Sequence, residues 1–341
     1  MKDSKKTYSM RKIAKELGIS TTTVSRVLNN RHDVDTETRK RVLDFVRKNS
    51  YQYRGSILDL KLIGVVDTYR RHSISSYYVS GILEGIDDRI SRRGYTIILL
   101  HADEIDRDYA DFGFIRCFNH ISGLIWMEPV FSSFYEKIVT DQKIPCVVIN
   151  NYDDDVKVDI VESDNYSAAK IAVEYLVGQG HHNIAFIGGW MNLTNHKERL
   201  RGFKDALNQT GLEPRNEHII TDISFWNEEG GAEGVYRLYS TGSKPTAIVV
   251  CSDFLITGVY AALKDLGYSI PKDVSVISFD DSPIARYLNP PLTSCKQPLK
   301  EIGSTAAEHL LTSIDGLSRN YVREKVRMPF IVRESTTVPR S

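Results

Sequence analysis

Near the start of the chain, the sequence encodes two short amphipathic helices separated by one tight turn that begins at a glycine. The segment from Ser9 to Asn30 reads SMRKIAKELGISTTTVSRVLNN, and its first apolar residues recur at helical spacing and stop at Gly18. Ser9 and Ser20 are N-cap residue types, so each is predicted to precede a helix. Gly18 allows the positive φ that a tight turn requires. The pattern therefore predicts a helix-turn-helix.

A third amphipathic helix is predicted over residues 36–49, with Arg and Lys around its rim. Residues 1–61 hold 15 Lys and Arg against 7 Asp and Glu, a net charge of +8. The remainder holds 29 against 37, a net charge of −8. A small basic end on an acidic body is expected where one domain binds phosphates, although a merely solvated basic tail has the same composition.

The outer face of the second predicted helix carries short hydroxyls and one guanidinium, from Thr21, Thr22, Ser25 and Arg26. Such groups suit base edges and phosphates in a DNA major groove. The alternative interpretation is an unrelated helical bundle whose cations form a solvated face.

The string TVSRVLNN after I-A-x-x-L-G-I-S resembles the headpiece motif of the lactose-repressor family of bacterial regulators. The resemblance implies that Thr21, Thr22 and Arg26 read bases, and that neighbouring polar side chains contact phosphates. The predicted DNA-binding residues are Ser9, Ser20, Thr21, Thr22, Thr23, Ser25, Arg26 and Asn29.

The segment that follows the headpiece, YQYRGSILDLK, is shorter than the family's usual linker and lacks its Ala-Arg-x-Leu stretch. In the family, this hinge folds on the operator and wedges a leucine into the minor groove. Leu58 or Leu60 is the candidate wedge. In the other interpretation, both leucines pack on the core.

From residue 62 onward, apolar strands alternate with helices in the order that parallel sheets require. The first predicted lobe comprises strands 62–66, 95–100, 123–127 and 144–150 and helix 78–93. The second comprises helices 168–179, 199–210, 231–239 and 254–266 and strands 184–188, 218–223, 247–251 and 274–279.

The resemblance extends over this segment and implies the periplasmic sugar-binding fold, with the chain crossing between lobes near Asp164, Cys295 and Met328. The predicted fold is thus an all-α helix-turn-helix headpiece plus an α/β two-lobed periplasmic-binding-protein-like domain with two doubly wound parallel sheets. The predicted boundaries are 1–54 for the headpiece, 55–61 for the hinge, 62–164 with 297–327 for the N-terminal lobe, and 165–296 with 328–341 for the C-terminal lobe.

Two such lobes leave a cleft between the carboxyl ends of their strands, where ligands bind in open parallel sheets. Carboxylates accept vicinal hydroxyls, Arg and Gln offer planar forks, and an aromatic ring covers the apolar face of a pyranose, so these residue types suit a sugar. Asp280 is preferred to Asp281 on the family match. The predicted ligand-binding residues are Tyr77, Tyr78, Asp164, Arg199, Trp226, Ser252, Asp253, Asp280 and Gln297.

Several of these residues have structural alternatives. Asp253 could cap the helix that follows it, which would leave Ser252 as the nearer ligand contact. Trp226 could be ordinary core. Tyr77 and Tyr78 could divide the roles, with one in the cleft and one packed.

No catalytic, cofactor or metal site is predicted. Gly188 and Gly189 lack the spacing of a dinucleotide fingerprint. His181 and His182 are adjacent and diverge on any regular element, so they cannot jointly hold a metal. The four cysteines form no Cys-x-x-Cys pair, which is typical of reduced structural thiols.

The partners expected from this sequence are a palindromic double-stranded operator, a second copy of the chain, and a small effector that is a mono- or disaccharide. No signal peptide or membrane span is recognised, so a cytoplasmic location is expected. Two alternatives stay open, a purine effector or a phosphorylated co-repressor, and a more remote one is an enzyme using the same two lobes.

Overall fold

The computed structural model describes residues 9–28, 34–48, 61–67, 77–101, 121–127, 130–189, 191–240, 242, 244–317 and 320–340. Within these ranges the predicted fold class is confirmed, with three N-terminal helices followed by two α/β lobes. No helix in these ranges has the length and apolar character needed to cross a bilayer. The predicted positions Asn29, Leu58 and Leu60 lie outside the described residues.

The headpiece helices begin and end where the cap residues predict. The Ser9 hydroxyl accepts a hydrogen bond from the Lys12 amide at 3.3 Å, and the Ser20 hydroxyl accepts one from the Thr23 amide at 2.9 Å. Gly18 ends the first helix with φ 67°. The three helices are α1 (Met10–Leu17), α2 (Thr21–Leu28) and α3 (Thr36–Lys48).

The headpiece core takes apolar side chains from all three helices. Ile13, Val24 and Val42 are completely buried. Arg41 on α3 also donates a hydrogen bond to the Leu17 carbonyl at 2.9 Å, which satisfies one of the unpaired acceptors at the end of α1. Helices α1 and α3 thus hold α2 by its apolar face and leave its polar face outward.

The first lobe is a six-stranded parallel sheet with helices packed against it. Its elements are β1 (Lys61–Asp67), α4 (Tyr77–Ile90), β2 (Tyr95–His101), β3 (Ile121–Trp126), α5 (Ser133–Gln142), β4 (Cys146–Ile149), β5 (Asp159–Ser163), α10 (Leu299–Ile314) and β11 (Arg323–Val326). The strand order is β11-β5-β4-β3-β1-β2. Completely buried residues on β1, α4 and α10, such as Ile63, Ile82 and Ile302, form its core.

The second lobe repeats the plan. Its elements are α6 (Asn165–Gly178), β6 (Ile184–Ile187), α7 (Thr194–Gln209), β7 (Ile219–Ile220), α8 (Glu228–Ser240), β8 (Ala247–Val250), α9 (Ile256–Asp265), β9 (Ser275–Asp280), β10 (Thr293–Lys296) and β12 (Phe330–Ile331). The strand order is β12-β10-β9-β8-β6-β7, and β12 is antiparallel to β10.

The chain passes between the two sheets three times, after β5, after β10 and after β11. These passages lie at Asp164, at 297–298 and at 327–329, close to the predicted crossings. The Ser163 hydroxyl donates a hydrogen bond to Oε1 of Gln297 at 2.5 Å. The carboxyl ends of β5 and β10 therefore meet where the lobes join.

Strands β5, β10 and β11 and helices α5 and α10 escaped the sequence prediction, and the predicted strand 218–223 was wrong in extent. Strand β5 was missed because it carries acids, which normally mark a surface. Asp159 is buried because its carboxylate accepts hydrogen bonds from the Val322 amide at 2.9 Å and the Ser313 hydroxyl at 3.1 Å. Only Ile219–Ile220 of the segment 218–223 pairs as a strand, next to β6.

Candidate functional site

Helix α2 presents the residues that the sequence assigns to base reading. Thr21, Thr22 and Arg26 are exposed on its outer face. Thr23 is half-buried, and its hydroxyl lies 2.8 Å from the Ser20 hydroxyl in the cap of the helix. The short polar groups and the guanidinium thus lie on one surface that a groove can reach.

The other predicted DNA-binding residues lie at the margins of this surface. Ser9 is exposed at the start of α1, where its hydroxyl serves as the N-cap, and Ser25 is half-buried on α2. A capping hydroxyl can still approach a phosphate together with the free amides of the helix start. DNA contact by these residues stays a prediction.

Arg199 lies at the centre of a buried polar network in the second lobe and is only 1% exposed. Its Nε donates a hydrogen bond to Oδ1 of Asn165 at 2.8 Å, and its Nη1 donates one to the Cys251 carbonyl at 2.5 Å. Nη2 lies 3.5 Å from Oδ1 of Asp280, and the guanidinium stacks over the Phe279 ring at 4.5 Å. A buried charge is tolerated here because several partners compensate it.

Asp280 ends β9 and collects hydrogen bonds from neighbouring strand ends. Its Oδ2 accepts from the Ser252 hydroxyl at 2.6 Å and from the Asp253 amide at 3.1 Å, and the Gln297 side-chain amide donates to Oδ1 at 3.4 Å. Its φ is 104°, a region that non-glycine residues rarely adopt and that often marks functional sites. The predicted residues Ser252, Asp280 and Gln297 therefore meet at one edge of the sheet.

Asp253 is a structural partner of this network rather than a helix cap. Its Oδ2 accepts from the amide and the hydroxyl of Ser282, both at 2.8 Å, and Ser252 is the residue that caps the short helix Asp253–Leu255. Oδ1 of Asp253 has no hydrogen-bond partner among the described residues. Burial raises the pKa of Asp253, and the carboxylate of Asp280 raises this pKa further.

Asp281 forms an ion pair with Arg333 and is not part of the Arg199–Asp280 network. Its side chain is 2% exposed and its Oδ1 lies 2.6 Å from Nη2 of Arg333, near the end of the chain. This ion pair supports the sequence-based preference for Asp280 as the ligand group.

The two adjacent tyrosines differ in their surroundings. The Tyr78 hydroxyl accepts a hydrogen bond from Nδ2 of Asn150 at 2.5 Å, and its ring packs against the core of the first lobe. Tyr77 is 39% exposed. Burial raises the pKa of Tyr77, and the carboxylate of Asp281 in the second lobe raises this pKa further. A place for Tyr77 in the ligand cleft stays a prediction.

Trp226 is half-buried in the segment between β7 and α8. Its ring stacks on that of His196, with centroids 4.4 Å apart and 30° between the planes. Nδ1 of His196 lies 2.9 Å from the Gly189 carbonyl, which follows β6. The sequence prediction did not include His196, although its position three residues before Arg199 places both on one face of α7.

Asp164 lies at the first crossing, where its Oδ1 accepts a hydrogen bond from the Ser167 amide at 3.1 Å and caps α6. Its own amide donates to the Val326 carbonyl at 2.8 Å, so it also joins two of the passages between lobes. The sequence prediction did not include the neighbouring residue Asn165, whose Oδ1 accepts a hydrogen bond from Nε of Arg199. A direct ligand contact by Asp164 stays a prediction.

Helix α7 of the second lobe contacts the first lobe as well. The Thr194 hydroxyl donates a hydrogen bond to the Tyr152 carbonyl at 3.0 Å. Nζ of Lys325 on β11 lies 3.5 Å from Oε1 of Glu162 and 3.9 Å from Oε2 of Glu198 on α7.

The described residues include no group of three or more His, Cys, Asp or Glu side chains placed to share a metal ion.

Two family models match separate parts of this chain. Residues 9–53 match the model described as bacterial regulatory proteins of the lacI family, and residues 173–336 match that of a periplasmic binding protein-like domain. The order of the two matches is that of the headpiece and the lobes.

Curated relatives resemble nearly the full chain, and a solved structure resembles about four fifths of it. The HTH-type transcriptional repressor PurR of Pasteurella multocida is 26% identical over 96% of this chain and 98% of its own length. The ribose operon repressor of Haemophilus influenzae is 28% identical with the same coverage. A LacI family transcriptional regulator from Enterococcus faecium with bound ribose covers 82% of this chain and 100% of its own, at 26% identity and a TM-score of 0.69.

Proposed function

Because the chain belongs to the lacI family of bacterial regulatory proteins, we propose that it is a transcriptional repressor that binds a palindromic operator and responds to a mono- or disaccharide. The observation that carries the proposal is the Arg199–Asp280 network at the carboxyl edge of the second lobe, on the same chain as an exposed recognition helix. A DNA-reading helix and a ligand cleft in one chain are what an effector-controlled repressor requires.

Operator recognition is assigned to α2 lying in the major groove. Arg26 offers the guanidinium for a guanine or a phosphate, and Thr21 and Thr22 offer hydroxyls and methyl groups for base edges. One headpiece reads few base pairs, so two chains related by a two-fold axis would read the two halves of a palindrome. The lobes supply the dimer contact in this proposal.

Sugar binding is assigned to the cleft on chemical grounds. Asp280 can accept donors from a polyol, Arg199 and Gln297 orient that carboxylate, and Trp226 with Tyr77 supplies aromatic surface. The ribose in the regulator from Enterococcus faecium and the name of the relative from Haemophilus influenzae support a sugar. A purine is the second candidate, favoured by the similarity to PurR. A phosphorylated co-repressor is a third.

The effector changes operator affinity by preferring one arrangement of the lobes, since only differential affinity shifts such an equilibrium. We propose that the sugar releases the operator. The proposal includes no enzymatic activity and no cofactor, because the curated relatives are regulators. Its site of action is the DNA, and therefore the cytoplasm.

Thermal-shift measurements on the purified full-length chain test this proposal with a panel of monosaccharides, disaccharides, nucleobases and sugar phosphates. A ligand of the native state raises the transition temperature in a concentration-dependent way. A sugar that does so and weakens operator binding in a fluorescence-anisotropy titration is the expected result. A nucleobase or a sugar phosphate as the sole stabilising compound would establish a rival effector, and absence of operator binding would refute the regulator itself.

A further inference from the structure

His196 is not among the predicted ligand-binding residues, yet it is buried against Trp226, which is one of them. It lies in the first turn of α7 and is 3% exposed. Three residues later on the same helix, Arg199 holds Asp280. The helix thus presents an imidazole and a guanidinium on one buried face, in the lobe that carries the polar network.

The imidazole of His196 makes one hydrogen bond and one ring contact. Its Nδ1 lies 2.9 Å from the Gly189 carbonyl, and because a carbonyl only accepts hydrogen bonds, Nδ1 carries the proton. Its backbone amide donates to Oδ1 of Asn195 at 2.9 Å, which fixes the first turn of α7. The hydrogen bond at Nδ1 orients the ring, and the plane of the Trp226 ring lies at 30° to it with the centroids 4.4 Å apart.

Gly189 also restricts the position of the Trp226 ring. A Cβ at Gly189 would lie 3.2 Å from Cζ3 of the indole and 2.7 Å from Cγ1 of Ile223. The indole edge therefore packs against the backbone of Gly189, while its face packs against His196. One short segment after β6 thus positions both rings, the imidazole through its carbonyl and the indole through its missing side chain.

From this geometry, we propose that His196 is a positioning residue that sets the plane of Trp226 as the aromatic platform of the effector cleft. The inference rests on the proposed function, since it assigns Trp226 to the ligand. A tilted platform changes which face of a sugar ring it can cover, so His196 would determine selectivity among sugars without touching them.

The position of the platform can be tested without any ligand. The full-length protein, labelled with 5-fluorotryptophan, has three tryptophans, and the variant Trp226→Phe assigns the resonance of Trp226. His196→Ala is expected to shift and broaden that resonance, because the stacked ring that restricts the indole is lost, and His196→Phe is expected to keep it narrow. His218→Ala is the matched control, since His218 is a buried histidine of the same lobe.

The second measurement is a double-mutant cycle on sugar affinity, with D-ribose, D-glucose and cellobiose as the probes. His196→Ala is expected to weaken binding about 3- to 10-fold in the native chain and not at all in a Trp226→Ala background, because the effect passes through the indole. Equal weakening in both backgrounds would show a merely structural histidine and overturn the inference. So would an unshifted Trp226 resonance. If no probe binds, the sugar proposal fails, and the resonances still judge the role of His196.

Discussion

Arg199 and Asp280 form an ion pair of 3.5 Å whose two members differ in exposure: the arginine side chain is 2% exposed and the aspartate side chain 18%. Asn165 and the Cys251 carbonyl hold the guanidinium from behind, so the buried cation is fixed and the carboxylate faces outward. We therefore expect Arg199 to contribute to stability and Asp280 to contribute to ligand recognition. Substitution of Arg199 tests the contribution of the pair to stability, and substitution of Asp280 tests its contribution to recognition.

Replacing Arg199 should mainly affect stability. In Arg199→Met, Asn165 and Asp280 lose a buried charged partner, and we expect the free energy of unfolding to fall by about 3 kcal/mol or more. Arg201→Met is the matched control, because Arg201 is half-exposed and pairs with Glu198 on the surface, where such a pair is worth at most about 1 kcal/mol. Urea unfolding followed by circular dichroism measures both, and equal losses would refute the difference.

Replacing Asp280 should lower the affinity for the effector and leave the affinity for DNA unchanged. In Asp280→Asn, the carboxylate charge is lost with little change of shape, and hydrogen bonds to charged groups contribute about 1.5 to 3 kcal/mol, so sugar affinity should fall at least about 10-fold. Operator affinity without sugar should stay within about 2-fold of the native value, since the substitution is in the second lobe. Calorimetry and anisotropy measure the two affinities.

Asp222→Asn provides the comparison for Asp280, since Asp222 lies on the surface of the same lobe and its side chain is 76% exposed. We expect it to change neither affinity. A variant Asp280→Asn that still responds to sugar as the native protein does would remove Asp280 from the cleft.

Replacing Arg26 should weaken operator binding and reduce its salt dependence. Arg26→Ala removes one base or phosphate contact, worth about 1 to 3 kcal/mol. Titrations at several salt concentrations measure the affinity and the slope. Glu16→Gln, an exposed change on α1, is the control that should not weaken binding. An unchanged affinity and slope for Arg26→Ala would contradict the assignment of α2.

The turn between α1 and α2 should depend on backbone conformation alone. Gly18 has φ 67°, and no atom lies within 4 Å of the position of an added Cβ. Gly18→Ala should therefore destabilise the headpiece by about 1 kcal/mol through the left-handed conformation, and Gly18→Asn should cost less because asparagine tolerates that region. Thermal unfolding of the full chain, followed by operator binding, measures the effect, and equal costs would point to packing instead.

His181 should make stability fall at acidic pH. It is 1% exposed, with Nδ1 2.9 Å from the Thr246 hydroxyl and Nε2 2.8 Å from the Thr337 carbonyl. Burial lowers the pKa of His181 below the ordinary value of about 6.5, so the unfolded chain binds the proton more tightly. Stability is therefore complete above that ordinary value and is lost as the pH falls through the window down to the lowered pKa.

Urea midpoints between pH 8 and pH 5 measure this loss, and His181→Asn, which cannot be protonated, should show a smaller slope. A slope unchanged by the substitution would assign the pH dependence to other groups.

Much of this fold follows from apolar periodicity and cap residues. Ser9, Gly18 and Ser20 mark the headpiece helices, and the runs LIGVV and AIVV mark buried strands. Strand β5 could not be recognised this way, because Asp159 and Glu162 are buried through partners that are distant in sequence. Periodicity registers which residues are apolar, whereas burial of an acid depends on tertiary contacts.

The polar residues of the candidate site could be predicted from the sequence because charged and amide side chains that follow strands suit ligand binding. Ser252, Asp280 and Gln297 come from separate segments and meet as expected for the ends of adjacent strands, and Arg199 of α7 joins them. His196 could not be foreseen, because its importance depends on a ring contact with a residue thirty positions away in the sequence.

Helix α7 begins with a hydroxyl bonded to the first lobe, and little more than one turn later it carries the guanidinium that orients Asp280. Because Arg199 and Thr194 lie on one helix, any shift of α7 would move the partner of Asp280 and the hydrogen bond between the lobes together. A substitution that displaces this helix should therefore change effector affinity and the contact between the lobes at the same time.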